Sequence, residues 1–153
     1  MDHGLKAAEL FLKGYNCAQA VTVAFCDLTG LEEKTAARTV SAFGGGMGRL
    51  REVCGAVSGM FFVLSLLYGY DTPGDDESKK ALYTDVQALA ARFREQVGSI
   101  ICREILKNPP TDPTPSPRTE EYYKKRPCAQ MVLTAATLLD EFIAAHPLED
   151  THG

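Results

Sequence analysis

The sequence has no tryptophan, no C-x-x-C pair and no surplus of basic charge, and the last two lacks each remove a class of protein. Lys and Arg number 16 against 20 Asp and Glu, a formal charge of −4. A protein that tracks phosphates needs a positive field, so nucleic acid is excluded as the main partner, and a polybasic membrane-surface role with it. Zinc sites usually draw on close-spaced cysteine knuckles, so the zinc signal is weak. The same gap removes a thioredoxin-type motif and, with no C-x-x-C-H, covalently attached haem. Neither a G-x-S-x-G, a Walker nor a Rossmann spacing occurs. The run Gly44-Gly45-Gly46-Met47-Gly48 lacks the preceding strand that a nucleotide loop requires. It reads as a turn between helices, with backbone close enough to donate N–H groups to sulfur.

What is present suits a single domain: 153 residues, 45% of them apolar, are enough to bury one core. Five cysteines are an odd number for a disulfide framework, and Met1-Asp2-His3-Gly4-Leu5-Lys6 does not resemble a signal peptide. The expected compartment is therefore the reducing cytoplasm, where a set of cysteines points to metal binding or reversible redox chemistry before a disulfide framework.

Ala and Leu supply 34 residues and Val and Ile only 13, a helical bias. With no convincing strict alternation, the fold class is all-α: a bundle of about five to six helices with a Pro-rich loop before the last. The first helix spans about residues 2 to 13 and ends at Gly14. A second is capped by Asn16, with Gln19 reaching back, and runs through Val21 and Phe25 to Gly30. A third covers about Glu32 to Phe43 and stops at the glycine turn. Leu82, Val86, Leu89, Phe93, Val97, Ile100 and Ile101 mark one face of a long helix from about Asp75 to Leu106. Residues 108–118 hold five of the eight prolines and form an extended connection, or less favourably a partner ligand. The final helix begins at Pro127 and runs to His146-Pro147.

Val53 to Tyr70 is an uncharged run of 18 residues, at the lower edge of a bilayer span. Its glycines and serines dilute the apolarity, and no second span is counted elsewhere, so it reads as a core helix without membrane insertion.

Cys17, Cys54, Cys102 and Cys128 fall on four different predicted helices. Cys17 follows the Asn16 cap, Cys54 opens the apolar helix and Cys128 follows Pro127, positions where unpaired N–H groups favour a thiolate. Cys102 is expected in the last turns of its helix, where the dipole gives no help. Arg49 and Arg51 precede Cys54, Arg103 follows Cys102, and Lys125 and Arg126 precede Cys128, charges that lower a thiol pKa or offset cluster charge. The plainer alternative is that each cysteine is a small buried hydrophobe. Cys26 lies nine residues after Cys17, about half a helical rotation away, and is left out of any shared site. His3, His146 and His152 lie near the termini and are read as solvated.

Four blocks in order resemble the redox-active C_GCAxxG_C_C family, over roughly residues 4 to 145. They are Gly14-Tyr15-Asn16-Cys17-Ala18-Gln19-Ala20; Phe43-Gly44-Gly45-Gly46-Met47-Gly48 with Cys54-Gly55-Ala56-Val57-Ser58-Gly59; Cys102-Arg103-Glu104-Ile105-Leu106; and Arg126-Pro127-Cys128. The resemblance implies a helical domain whose four cysteines act together, here Cys17, Cys54, Cys102 and Cys128. A related domain in split-Soret cytochromes holds a [2Fe–2S] cluster, which suggests the same cofactor for this site.

Three readings remain at this point. In the first, the four thiolates ligate an iron–sulfur cluster for electron transfer or redox sensing, with Gly45, Gly46, Gly48, Gly55 and Arg126 lining it. The second is a thiol–disulfide protein without metal, in which a low-pKa Cys17 or Cys128 attacks and another cysteine resolves. The third is a non-enzymatic helical binding domain with buried cysteines. A redox partner protein is expected for the first two, and a homodimer is compatible with so apolar a chain.

Overall fold

Capping residues govern where the helices of this chain start, as a computed structural model describing residues 2–148 makes visible. Helix α1 (His3–Leu12) begins where the Asp2 carboxylate accepts the Leu5 amide at 3.1 Å. Helix α2 (Cys17–Ala24) carries the full capping box: Asn16 accepts the Gln19 amide at 2.9 Å and Gln19 Oε1 accepts the Asn16 amide at 3.0 Å. The run then breaks at Phe25, and a separate short α3 (Cys26–Thr29) ends at Gly30, φ +79°. Helix α4 (Glu33–Thr39) gives way at Val40 to a 3₁₀ turn (Ser41–Phe43), so neither of these stretches is the single helix that its composition suggests.

A tight helical loop, α5 (Gly44–Met47), precedes the apolar α6 (Gly55–Tyr68), and α7 (Asp76–Val97) is the long amphipathic helix. It stops nine residues earlier than its periodicity suggests, since Gly98 takes φ +104° and caps it. Cys102 therefore begins a new short helix, α8 (Cys102–Ile105), instead of ending the old one. Residues 107–119 link it to α9 (Glu120–Lys125) without helix, and α10 (Cys128–Ala145) closes the described chain. Among the described residues there are thus ten α-helices and no named strand, where five to six helices were expected. The all-α class stands; the count rises because glycine, Val40 and Phe25 cut long runs into short pieces.

The core centres on α1 against α10 and α2 against α6. Phe11, Phe25, Met60, Leu64, Leu89, Phe93, Leu138 and Leu139 are its largest buried side chains. Gly55 and Gly59, four residues apart on α6, press that helix onto α2. A Cβ at Gly59 would lie 2.8 Å from the Ala18 carbonyl oxygen, and one at Gly55 3.1 Å from Cys17 Cβ. The close approach of α6 to α2 is what brings Cys17 beside the start of the Cys54 helix.

By length and composition α10 could cross a bilayer, a second candidate that the sequence reading did not count, whereas α6 is only 14 residues long. Here one face of α10, from Met131 through Phe142, is buried against α1, α2 and α6.

His3 is not solvated. The residue is 4% exposed, and its ring stacks on Phe25 at 4.2 Å and places Nδ1 2.6 Å from Asp140 and Nε2 3.0 Å from Asp27. It ties the start of α1 to α3 and α10, elements far apart in sequence. His146 is exposed, and His152 lies outside the described residues.

Candidate functional site

The four cysteines arrive at one place by four local devices. Cys17 is the first residue of α2, set by the Asn16 cap. Cys54 is the cap of α6 and Cys102 the first residue of α8, and an isolated antiparallel bridge, Val53 to Ile101, ties these two segments together. Along it the Cys54 amide donates to the Ile100 carbonyl at 2.8 Å and the Cys102 amide to the Glu52 carbonyl at 2.6 Å. Cys128 is the first residue of α10, with Pro127 as its cap. All four thiols therefore sit at the N-terminal boundary of a helix, including Cys102, for which the sequence suggested the opposite end.

They line a single cavity of about 200 Å³. Its other walls include Gly45, Gly46, Gly55 and Arg126, all anticipated, together with Arg49, Arg51, Arg118 and residues of the Pro-rich segment. Gly48 is not part of the lining; it ends the glycine turn with φ +63°. Cys26 is also absent from it, its thiol directed instead to the Thr22 carbonyl at 3.9 Å.

The wall formed by residues 45–51 is conformationally expensive. Gly45, Gly46, Met47, Gly48, Arg49 and Arg51 all have φ between +62° and +70°. For the three non-glycines the left-handed region costs about 1–2 kcal/mol each, so the surroundings must hold them there. They do so through the arginines. Arg49 Nε donates to the Asp112 carbonyl at 2.6 Å and Nη1 to Ser116 Oγ at 3.2 Å. Arg51 Nε donates to the Pro110 carbonyl at 2.9 Å. The Pro-rich segment is thereby strapped across the cavity.

Arg51 serves a different thiol from the one its position suggests. It stands three residues before Cys54, yet its Nη1 donates to Cys102 Sγ at 3.7 Å, because a left-handed residue turns the side chain towards α8. Arg103, expected to attend Cys102, instead pairs with Glu52 at 3.0 Å. The Lys125 side chain lies outside the described residues. Arg118, which drew no notice in the sequence, lies 4.4 Å above the Phe11 ring and donates to the Phe11 and Tyr15 carbonyls. Nothing in a lone arginine after a proline run marks it; only the packing of α9 on α1 gives it that place.

The electrostatics divide the thiols. Burial pushes Cys54 up to about 12, against the pull of the Ala56 and Val57 amides. Cys102 is raised by burial, with Arg51 opposing. Cys17 and Cys128 act as a pair. The hydrogen bond between them raises Cys17 well above the ordinary thiol range and, with Arg126, Arg118 and Arg51, holds Cys128 at about 7 in spite of burial. The pair is thus poised as a thiol donating to a thiolate.

A sequence model described as "Putative redox-active protein (C_GCAxxG_C_C)" matches residues 15–142, most of the chain and all four cavity cysteines. The chain belongs to the C_GCAxxG_C_C family. Neither a curated protein nor a solved structure matches it. The family label orders its second block Gly-Cys-Ala, whereas this C_GCAxxG_C_C chain reads Cys54-Gly55-Ala56. In that order the thiol sits at the helix cap and the glycine beside Cys17.

The donor set can be compared with the groups that it could hold. A single ion needs three or four ligands converging to about 2.3 Å from one point. Among the described residues no group of three or more His, Cys, Asp or Glu is placed to hold one. The four thiols line one cavity. That arrangement suits a larger sulfur-bridged group, and a buried, unpartnered arginine N–H in the wall suits a negatively charged one.

Proposed function

We propose that this redox-active family member binds an iron–sulfur cluster, with [2Fe–2S] the nuclearity that the resemblance suggests, on Cys17, Cys54, Cys102 and Cys128, for electron transfer or redox sensing. The convergence of four thiols from four separate elements on one cavity carries this reading. Soft thiolates are the natural ligands of such a group, and it supplies one-electron chemistry when bound. The chain's own residues bind and shield it. Helix N-termini and Arg51, Arg118 and Arg126 offset the negative charge of the thiolates. Phe11, Met131 and the Pro-rich strap limit water.

Anaerobic expression followed by iron and acid-labile sulfide analysis with visible absorption tests the proposal. Brown protein containing both elements is expected, with loss of both in serine variants of the four cysteines. Colourless protein lacking iron and sulfide after reconstitution overturns it.

The Cys17–Cys128 hydrogen bond supports a second reading, a metal-free dithiol. The Cys128 thiolate would attack a partner disulfide, forming a mixed disulfide and expelling one partner thiolate. Cys17, on losing its proton, would then attack Cys128 Sγ, expelling the second partner thiolate and leaving a Cys17–Cys128 disulfide. The pair gives up two electrons and the partner gains two. Treatment of metal-free protein with glutathione disulfide is expected to yield that bond by mass spectrometry, and Cys17→Ser to trap the mixed disulfide. Exclusive pairing of other cysteines refutes the reading. Either chemistry calls for a redox partner and suits a reducing compartment such as the cytoplasm.

A further inference from the structure

Four arginines line the cavity, and three of them are engaged with its surroundings, two by hydrogen bonds and one by stacking. Arg49 is bonded to the Pro-rich strap. Arg118 is bonded to the carbonyls of Phe11 and Tyr15. Arg126 lies 5.1 Å above the Tyr122 ring. Arg51 differs. It is 2% exposed, its Nε is anchored on Pro110, its Nη1 reaches Cys102 Sγ, and its Nη2 is the one buried side-chain nitrogen or oxygen among the described residues without a partner. A buried guanidinium N–H left unsatisfied is unfavourable, since it has lost its water and gained no partner. Its backbone is held besides in the left-handed region at φ +62°. Two unfavourable features at one residue, in the wall of the cavity, indicate a side chain placed for an occupant.

We infer that Arg51 is the positioning residue that tunes the redox poise of the group held in the cavity, one N–H fixing the Cys102 ligand and the other reserved for an anionic atom of the occupant. This rests on the iron–sulfur reading. The physical basis is that hydrogen bonds to ligand sulfur and nearby positive charge both stabilise the more negative, reduced state. One electron from an external reductant adds one unit of negative charge to the four-thiolate assembly. No bond at Arg51 is made or broken, and its charge remains. Removing that charge makes reduction harder and lowers the midpoint potential.

The test is an anaerobic optical redox titration with dithionite on reconstituted wild type, Arg51→Gln and Arg51→Lys, after iron and sulfide have been measured in each. The glutamine variant is expected to shift the reduction equilibrium at least tenfold towards the oxidised form, about 59 mV for a one-electron couple. The lysine variant, which keeps the charge but not the fork, is expected to shift it less. Where a variant does not accumulate folded protein, pulsed EPR of reduced wild type with ¹⁵N-labelled arginine supplies the readout, and a nitrogen coupling is expected. Wild-type midpoints in cluster-loaded variants, or no arginine coupling in wild type, overturn the role of Arg51 while leaving the cluster in place. Absence of iron and sulfide from wild type overturns the cluster reading, and this inference with it.

Discussion

Replacing Gly46 by alanine tests the close contact on which the cavity depends. Gly46 has φ +70°, and a Cβ there would lie 2.6 Å from Cys102 Cβ, 2.8 Å from Arg51 Cα and 2.9 Å from the Glu52 amide nitrogen. Two of those neighbours are backbone, so no rotamer change relieves the clash. Left-handed alanine costs about 1–2 kcal/mol, and overpacking adds about 1–3 kcal/mol. The reduced freedom of the unfolded chain returns about 0.4–1 kcal/mol. Gly46→Ala is therefore expected to lose about 3 kcal/mol of stability. Gly30→Ala separates the two causes. Gly30 has φ +79° with nothing within 4 Å of the added atom, so only the backbone cost of about 1 kcal/mol applies. Urea unfolding of the reduced, metal-free proteins, followed by far-UV circular dichroism, reads the difference as a shift in midpoint at constant slope. Equal losses in the two variants refute the close approach of the 45–51 turn to Cys102.

Alkylation of reduced, metal-free protein by iodoacetamide should place Cys128 half-reactive near pH 7, and Cys17→Ala should move it upwards by removing the donor that stabilises the thiolate. An unchanged profile in that variant counts against the thiol–thiolate pair. Cys54, held near 12 in the fold, stays protonated where the unfolded thiol, at about 8.5, has ionised. The unfolded state then binds fewer protons, so stability falls as pH rises above about 9, and Cys54→Ala should flatten that alkaline limb in a pH series of urea midpoints. His3→Ala leaves Asp27 and Asp140 without the ring between them and removes the Phe25 stack. A loss of about 2 kcal/mol is expected by thermal unfolding, and a loss below about 0.5 kcal/mol would show that the linkage is not stabilising.

Much of the helical content was legible because its signals are local. The Asn16 and Gln19 capping box and the apolar stripe through Leu82, Leu89 and Phe93 need only neighbours in sequence to act, and both appear where they were read. The stop at Gly98 was equally local but was overrun, because Ile100 and Ile101 continue the apolar spacing beyond it. Their apolarity has another use: Ile101 pairs with Val53, and Ile100 packs against the core. Thr119 followed by Glu120 and Glu121 carried the start signal of α9, with the Thr119 hydroxyl accepting the Tyr122 amide.

At the site, the identity of the four cysteines could be read from their blocks, and the cavity brings all four together. Which arginine serves which thiol could not. Arg51 was assigned by proximity to Cys54, and chain proximity carries no information about a left-handed backbone that turns the side chain away. His3 was misread for a related reason: its two carboxylate partners are 24 and 137 residues distant.

By itself, then, the sequence determined the helical class, the start of α2 and the candidate thiols, since periodicity, capping and residue chemistry are properties of short windows. Only the tertiary structure decided that Cys17 and Cys128 share one cavity wall, that Cys102 falls to Arg51 and that one guanidinium nitrogen is left facing no partner. Those facts depend on the crossing of α6 over α2 at Gly59 and on a turn forced into left-handed conformations. Such distances arise between segments that share no local rule, and they are settled only when the core closes around them.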